Sequence, residues 1–180
     1  MEHVTVKDLV LGSGGVLVSG SEEAPVSHIR LDSRQVEPGD LFVPLLGERV
    51  DSHRFLPQVM DQGAAAVLTS QELTLPEGGA GCAVIRVEDT KKALQKIGSY
   101  LRDRLTLPLV GVTGSVGKTT TREMIAAALS ARFRVYKTPG NSNSQVGVPV
   151  TLSEITENDQ VGVIELGMSE PGEMTVIANI

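Results

Sequence analysis

GVTGSVGKTT, residues 111–120, sets the architecture of this 180-residue chain. It lies between the apolar run Leu109–Val112, which predicts a strand, and residues 117 to about 132, which predict a long helix. Glycines let a backbone turn tightly and aim its N–H groups at phosphate oxygens, while a lysine adds a cation and a threonine hydroxyl suits Mg²⁺. The segment therefore predicts a phosphate-binding loop, or P-loop, in a parallel α/β sheet.

The spacing within this loop departs from the common P-loop pattern. G-x-x-x-x-G-K-[ST] requires a glycine at position 112, where this chain has Val112, so the pattern here is T-G-x-x-G-K-T. A Gly-rich turn with a surface lysine is the alternative, but the coincidence of strand, glycines, Lys-Thr and helix disfavours it. The candidate nucleotide-binding residues are Thr113, Gly114, Ser115, Val116, Gly117, Lys118, Thr119 and Thr120.

A carboxylate follows another apolar run of this region. Residues 161–166 predict a buried strand, and Glu165 lies near its end. Because ligands gather at the carboxyl ends of parallel strands, we expect Glu165 to face the P-loop and to share Mg²⁺ with Thr119. A glutamate that simply faces solvent at the strand end is the alternative.

The part of the chain before the P-loop predicts a small α/β unit. Residues 28–31 and 41–45 predict two neighbouring strands, and residues 53–62 predict a helix with Ser52 as its N-cap. A strand at 65–69, a polar loop at 70–81 and a strand at 83–87 complete this unit. An amphipathic helix capped by Asp89 then runs to about residue 105.

These elements predict three segments of the chain. We expect a substrate-binding α/β domain at 1–88, a linker helix and connection at 89–108, and a P-loop domain with a parallel sheet at 109–180. The last segment contains only about three predicted strands and a helix that starts at Ser169 or Glu170, fewer strands than the usual ~4 to 6 of a sheet. We therefore expect it to be part of a larger domain.

Two loops of the first unit carry groups that suit an anionic or nucleotide ligand. Ser33 and Arg34 follow a predicted strand, and residues 47–55 join a strand to a helix. Arg34 offers a planar fork, Ser33 a hydroxyl, and His53 with the helix start offers N–H donors. Ordinary loop capping explains these residues equally well.

Composition excludes several classes of protein. Sixteen basic and twenty-two acidic residues give a net charge of −6, which disfavours binding to nucleic acid. The single cysteine, Cys82, cannot form an internal disulfide, as is typical of a reducing compartment. No run approaches the ~20 apolar residues of a membrane span, and the first residues lack the pattern of a secretory leader. We expect a cytoplasmic protein.

Four segments together resemble the Mur ligases of bacterial cell-wall synthesis. They are LDSRQVEPGDLFVPLLGERVDSHRF (31–55), GVTGSVGKTT (111–120), TPGNSNSQVGVPVTL (138–152) and VIELGMSEPGEM (163–174). The T-G-x-x-G-K-T loop is the form that this family uses. The G-N-x-N and I-E-L-G-x-x-x-x-G-E patterns look more like the member that joins D-Ala-D-Ala to UDP-N-acetylmuramoyl-tripeptide than the member that adds the third amino acid.

The resemblance implies ATP and Mg²⁺ as cofactors of the second unit. In this family the γ-phosphate of ATP activates a substrate carboxylate as an acyl phosphate, which the amine of D-Ala-D-Ala then attacks. Lys118, with Mg²⁺ held by Thr119 and Glu165, would offset the charge of the transferring phosphoryl group. Asn141 falls on the family's polar loop near the metal and γ-phosphate, and Asn143 is a second candidate there.

The resemblance also assigns the UDP end of the substrate to the first unit. Ser33, Arg34, Asp51, His53 and Phe55 match the family's N-terminal motifs and are treated as one region. A further domain beyond Ile180 and a monomeric parent enzyme are implied, so we expect no ligase turnover from residues 1–180 alone. A P-loop kinase or GTPase, and a non-catalytic nucleotide-binding module, remain alternatives, although the guanine-reading N-K-x-D run of GTPases is missing from the sequence.

Overall fold

A computed structural model describes residues 1, 3–47, 50–72 and 81–180. These residues form two compact units, Met1–Ile97 and Gly98–Ile180. Each unit contains a largely or wholly parallel sheet with helices, which confirms the expected α/β class. The boundary between the units lies within a single helix, whereas the three segments expected from the sequence stay a prediction. No helix among these residues is long and apolar enough to cross a membrane.

The first unit is built around a five-stranded sheet. Its strands are β1 (Val16–Ser19), β2 (Ile29–Arg30), β3 (Leu41–Phe42), β4 (Ala66–Thr69) and β5 (Ala83–Arg86), in the order β1-β5-β4-β3-β2. Its helices are α1 (Val6–Ser13), α2 (Leu56–Asp61) and the start of α3 (Thr90–Asp103). β2 to β5 are parallel and β1 is antiparallel to β5. The predicted adjacency of the strands at 28–31 and 41–45 is confirmed.

The middle strand and the helix that covers it form the core of this unit. β4 is buried along its whole length, as a continuous apolar run in a parallel sheet should be. Phe42, Leu56, Val59 and Val67 belong to one buried cluster. Most of the predicted loop at 70–81, residues 73–80, lies outside the described residues.

The entry into α2 differs from the prediction. Asp51 and not Ser52 is the capping residue, because its carboxylate accepts a hydrogen bond from the backbone N–H of His53 at 2.9 Å. A 3₁₀ turn over Ser52–Phe55 follows, and the α-helix begins only at Leu56. Pro57 has no N–H to donate, so it fits only the first turn of an α-helix, and this fixes the later start.

The helix α3 agrees with its prediction. Asp89 accepts a hydrogen bond from the backbone N–H of Lys92 at 3.0 Å and so caps its first turn. Ala93, Leu94 and Ile97 are buried, which confirms the apolar stripe. The helix ends at Asp103, two residues before the predicted end.

The second unit contains a three-stranded parallel sheet. The strands are β6 (Leu109–Val112), β7 (Val135–Lys137) and β8 (Val161–Glu165), in the order β6-β8-β7, so the predicted three strands are confirmed. The helices are α4 (Lys118–Ser130), α5 (Gly147–Ser153) and α6 (Glu173–Ala178). β8 is the central strand and is buried throughout. Its C-terminal residue, Glu165, therefore lies at the edge of the sheet where the neighbouring strands β6 and β7 also end.

Two helices of this unit correct the sequence analysis. The Asn, Ser, Gly and Pro residues of the segment 138–149 predict a polar loop, but α5 lies partly within that segment. α6 begins at Glu173 after Gly172, not at Ser169 or Glu170. The reason is that the Glu173 carboxylate accepts hydrogen bonds from the backbone N–H groups of both Ser169 and Glu170, at 2.6 and 3.0 Å, which holds them in a turn ahead of the helix.

Candidate functional site

The P-loop joins β6 to α4 and is largely exposed. Gly114 and Gly117 have φ of 147° and 78°, a region that side chains with a β-carbon rarely occupy, so the loop requires glycine at both positions. Gly117 precedes the first helical residue and has no side chain with which to cap the helix. The N–H groups of the first turn of α4 therefore stay available, at the positive end of the helix dipole.

Lys118 folds back over this loop. Its Nζ donates a hydrogen bond to the carbonyl oxygen of Gly114 at 2.7 Å. The cation is thus held at the loop, where it can exchange a carbonyl partner for a phosphate oxygen. The eight residues predicted to bind nucleotide, 113–120, form one continuous turn and helix start, as the motif requires.

Glu165 ends β8 and faces the start of α4. Its register partner on β6 is Val112, the residue that leads into the P-loop. The Thr119 hydroxyl donates to Glu165 Oε1 at 3.3 Å, and the carboxyl side chain is only 2 % exposed. The alternative of a solvent-facing glutamate is therefore wrong, and the predicted pair of Thr119 and Glu165 is brought together.

The other oxygen of Glu165 lies against a buried arginine. Arg122 Nη1 is 3.1 Å from Glu165 Oε2, and both side chains are at least 95 % buried. That Nη1 group donates its hydrogen bond to the Gly140 carbonyl at 2.9 Å instead, so among the described residues Oε2 has an ion pair but accepts no hydrogen bond. Sequence analysis missed Arg122, although its position three residues after Thr119 places both on one face of α4.

Arg122 also belongs to a chain of charges that reaches the surface. Its Nη2 donates to Glu123 Oε1 at 2.7 Å, and Lys137 on β7 contacts the other oxygen of the same carboxylate. The Lys137 ammonium, and then the Arg122 guanidinium, lower the pKa of Glu123. This network ties α4 to β7 beside the candidate site.

Of the two asparagines in the 138–146 loop, the structure brings Asn143 to Glu165. Its Nδ2 donates to Glu165 Oε1 at 2.8 Å, the same oxygen that Thr119 contacts. Asn141, which we ranked first, is exposed at the surface of the loop. The spacing of the motif could not distinguish the two, because it does not specify how the loop turns.

In the first unit, three predicted residues meet at an open cavity of about 560 Å³. Ser33, Arg34 and Phe55 line it, together with Leu31, Asp32, Ser52 and Gln58. Arg34 is 83 % exposed and its Nη2 lies 2.6 Å from Asp32 Oδ2. This contact lowers the pKa of Asp32 to about 2, with help from the backbone N–H of Arg34.

Asp51 and His53 are not among the residues that line this cavity. His53 is buried, and its Nδ1 lies 2.6 Å from Asp51 Oδ1. Its Nε2 accepts a hydrogen bond from the backbone N–H of Ser70 at 3.2 Å, so the ring proton sits on Nδ1 and points at Asp51. Both ring nitrogens are thereby occupied within the protein. The backbone N–H and then the ring of His53 lower the pKa of Asp51.

Comparison with known proteins defines the class to which this fold and site belong. Residues 25–101 match the description "Mur ligase family, catalytic domain", and residues 112–180 match "Mur ligase middle domain". The second match includes the P-loop from Val112 onward and Glu165. The chain belongs to the Mur ligase family.

The individual relatives are more specific. A UDP-N-acetylmuramoyl-tripeptide--D-alanyl-D-alanine ligase of Bacillus subtilis is 40 % identical over 177 residues, which are 98 % of this chain and 38 % of the relative. A solved UDP-N-acetylmuramoylalanyl-D-glutamyl-2,6-diaminopimelate--D-alanyl-D-alanyl ligase from Acinetobacter baumannii superposes with a TM-score of 0.86 at 34 % identity, over 97 % of this chain and 38 % of that one. This chain therefore spans just over a third of the length of these relatives.

A third relative was solved with a nucleotide. It is the MurF ligase from Thermotoga maritima in complex with ADP, with a TM-score of 0.74 at 30 % identity over 85 % of this chain and 35 % of that one. The resemblance inferred from the four sequence segments is confirmed at the level of the family.

Proposed function

We propose that this chain supplies the UDP-substrate-binding and ATP-binding parts of a ligase that joins D-Ala-D-Ala to UDP-N-acetylmuramoyl-tripeptide. The observation that carries the proposal is the meeting of Thr119 and Glu165 beside a P-loop of the Mur ligase form. The relatives that bear this enzyme name match nearly the whole chain and support the assignment. The acyl-phosphate route implied by the resemblance is part of the proposal.

The P-loop is proposed to bind the phosphates of ATP. Residues 113–120 lead into the N-terminus of α4, which no side chain caps, and Lys118 is the cation held beside this turn. The relative solved with ADP supports nucleotide binding by this unit. Asn141, exposed on the neighbouring loop, is proposed to contact the γ-phosphate side of the nucleotide.

Thr119 and Glu165 fit Mg²⁺ by the chemistry of their donor atoms. Both present oxygen, and Mg²⁺ is usually bound by one or two protein oxygens together with phosphate oxygens and water. Among the described residues no group of three or more His, Cys, Asp or Glu could hold a metal ion. We propose that phosphate oxygens of the nucleotide and water complete the ligands supplied by Thr119 and Glu165. Bound Mg²⁺ would neutralise charge on the transferring phosphoryl group.

The cavity of the first unit is proposed to bind the UDP end of the substrate. Arg34 offers a fork for the diphosphate, Phe55 an apolar ring face, and Ser33 a hydroxyl. Asp51 and His53 belong to the region carried over from the family, and we propose that through their mutual contact they hold the turn that carries Ser52 and Phe55 to this cavity. Cytoplasmic location and a monomeric parent enzyme stay predictions.

Calorimetry with ADP tests the nucleotide part of the proposal. We expect ADP with Mg²⁺ to bind the chain, and Lys118→Ala to lower the affinity at least about tenfold, because a charge-assisted contact to phosphate is lost. Lys91→Ala, an exposed lysine on α3, is the matched control and should bind as the unaltered chain does. Equal affinity of the chain and Lys118→Ala, or a preference for guanine nucleotides, would contradict the proposal.

A further inference from the structure

One oxygen of Glu165 receives hydrogen bonds from two different elements. Oε1 accepts from the Thr119 hydroxyl of α4 at 3.3 Å and from Asn143 Nδ2 of the 138–146 loop at 2.8 Å. The other oxygen, Oε2, lies 3.1 Å from Arg122. The carboxylate is therefore held between a cation on one side and two neutral donors on the other.

The Asn143 carboxamide occupies space that is available because residue 167 is a glycine. A β-carbon at Gly167 would lie 2.7 to 2.9 Å from the Cγ, Oδ1 and Nδ2 atoms of Asn143, closer than real contacts allow. The backbone N–H of Gly167 also donates to the Asn143 carbonyl oxygen at 2.8 Å. Because φ of Gly167 is not positive, the glycine is needed here for space and not for backbone conformation.

We infer that Asn143, seated against Gly167, is a positioning residue of the Mg²⁺-nucleotide site. The inference rests on the proposed function. Asn143 acts through Glu165: its N–H holds Oε1 toward Thr119, so that the hydroxyl and the carboxylate present their oxygens together. Without this donor, the carboxylate is free to turn both oxygens toward the Arg122 guanidinium, away from Thr119.

The test separates the Mg²⁺-dependent part of ADP binding from the rest. ADP affinity is measured by calorimetry with Mg²⁺ and with EDTA, and their ratio reports what the metal adds. We expect Asn143→Ala and Gly167→Ala each to lower this ratio about tenfold, the usual effect of losing a group that orients a metal ligand. Affinity in EDTA should stay as in the unaltered chain, because the P-loop amides and Lys118 are untouched.

The control is the same substitution at another asparagine of this unit. Asn179 Nδ2 also donates one hydrogen bond, to the Thr175 carbonyl at 2.7 Å, but at the exposed end of α6. Asn179→Ala should keep the full ratio. A ratio that is unchanged in Asn143→Ala and Gly167→Ala, or affinities that fall equally with and without Mg²⁺, would overturn the inference. If Mg²⁺ does not change the ADP affinity of the unaltered chain, the proposed metal site is contradicted, and the inference fails with it.

Asn143→Asp provides a second measurement that does not need nucleotide. It would place a second carboxylate beside Glu165 Oε1, where the two charges repel each other unless a cation lies between them. We expect Mg²⁺ alone to raise the melting temperature of Asn143→Asp more than that of Asn179→Asp. An equal response of the two variants would show that residue 143 does not adjoin the metal position.

Discussion

The two candidate sites hold their charges in opposite ways. In the P-loop unit, Arg122 and Glu165 form an ion pair with side chains 5 % and 2 % exposed. In the first unit, Arg34 and Asp32 form one with side chains 83 % and 33 % exposed. The exposed pair has the shorter distance, 2.6 Å against 3.1 Å, yet water screens it and leaves it easily broken. Burial, and not distance, decides which site is fixed before a ligand arrives.

The largest expected effect is that of breaking the buried pair. Arg122→Met leaves Glu165 buried without its counter-charge, so we expect the free energy of unfolding to fall by about 3–5 kcal/mol. Tyrosine fluorescence during urea unfolding measures this unit selectively, because the chain has no tryptophan and two tyrosines, and both of these, Tyr100 and Tyr136, lie in Gly98–Ile180.

An exposed pair of the same unit is the control for that measurement. Arg102 lies 2.7 Å from Asp103, with side chains 35 % and 67 % exposed. Arg102→Met should lower the free energy of unfolding by only about 0–1 kcal/mol. Similar losses in the two variants would mean that burial does not distinguish the pairs.

A smaller effect is expected from His53, which the sequence placed among ligand-binding groups. Its ring is buried and both nitrogens are engaged, so His53→Ala should lower the stability of the first unit by about 2 kcal/mol. Amide hydrogen exchange of β4 follows this unit directly. His28→Ala is the control, because the His28 ring is 44 % exposed and Asp40 retains its contact with Arg30.

The outcome for His53 also decides between two roles. If stability is unchanged and only the affinity for UDP falls, His53 is a ligand-binding residue as the motif suggested. If the stability of the first unit falls in His53→Ala, the family motif at this position stabilises the fold of the loop.

The sequence was enough to locate the candidate site along the chain, but not to predict which side chains contact one another within it. The P-loop could be predicted because its groups are consecutive, and Glu165 because strand ends have a known direction. The contacts that fix Glu165 join residues far apart, 46 positions for Thr119 and 22 for Asn143, and no local pattern reports such distances. Arg122 was missed because a basic residue on a helix is usually solvated, and only packing shows that this one is buried.

The fold shows the same division. Apolar runs such as β8 were found because a buried parallel strand is continuous in sequence. α5 was missed because turn-forming residues precede it and Pro149 lies in its first turn, where proline is tolerated. Its buried residues Val148, Thr151 and Leu152 follow helical spacing, so the pattern was present but short.

The smallest expected effect concerns the exposed pair of the first unit. The pKa of Asp32 is lowered from 3.8 to about 2, first by the Arg34 side chain and then by the Arg34 backbone N–H. A lowered pKa favours the folded state above the unfolded value, and this contribution is lost as pH falls from about 3.8 toward 2. Because the pair is exposed, the contribution to stability is slight, and the pKa itself is the better measurement.

Arg34→Ala should raise the pKa of Asp32 without restoring its ordinary value. The backbone N–H of residue 34 still donates to Asp32 Oδ1, at 3.0 Å in the unaltered chain, and an alanine keeps that donor. Titration of the Asp32 carboxyl carbon by NMR measures the change, and Arg54→Ala, which removes the arginine stacked on Phe55, should leave it unaltered. A midpoint that stays near 2 in Arg34→Ala would show that the turn alone holds this charge. Arg34 could then bind a diphosphate without the loss of a stabilising contact to Asp32. The exposed pair would in that case differ from the buried pair of Arg122 and Glu165 in strength as well as in burial.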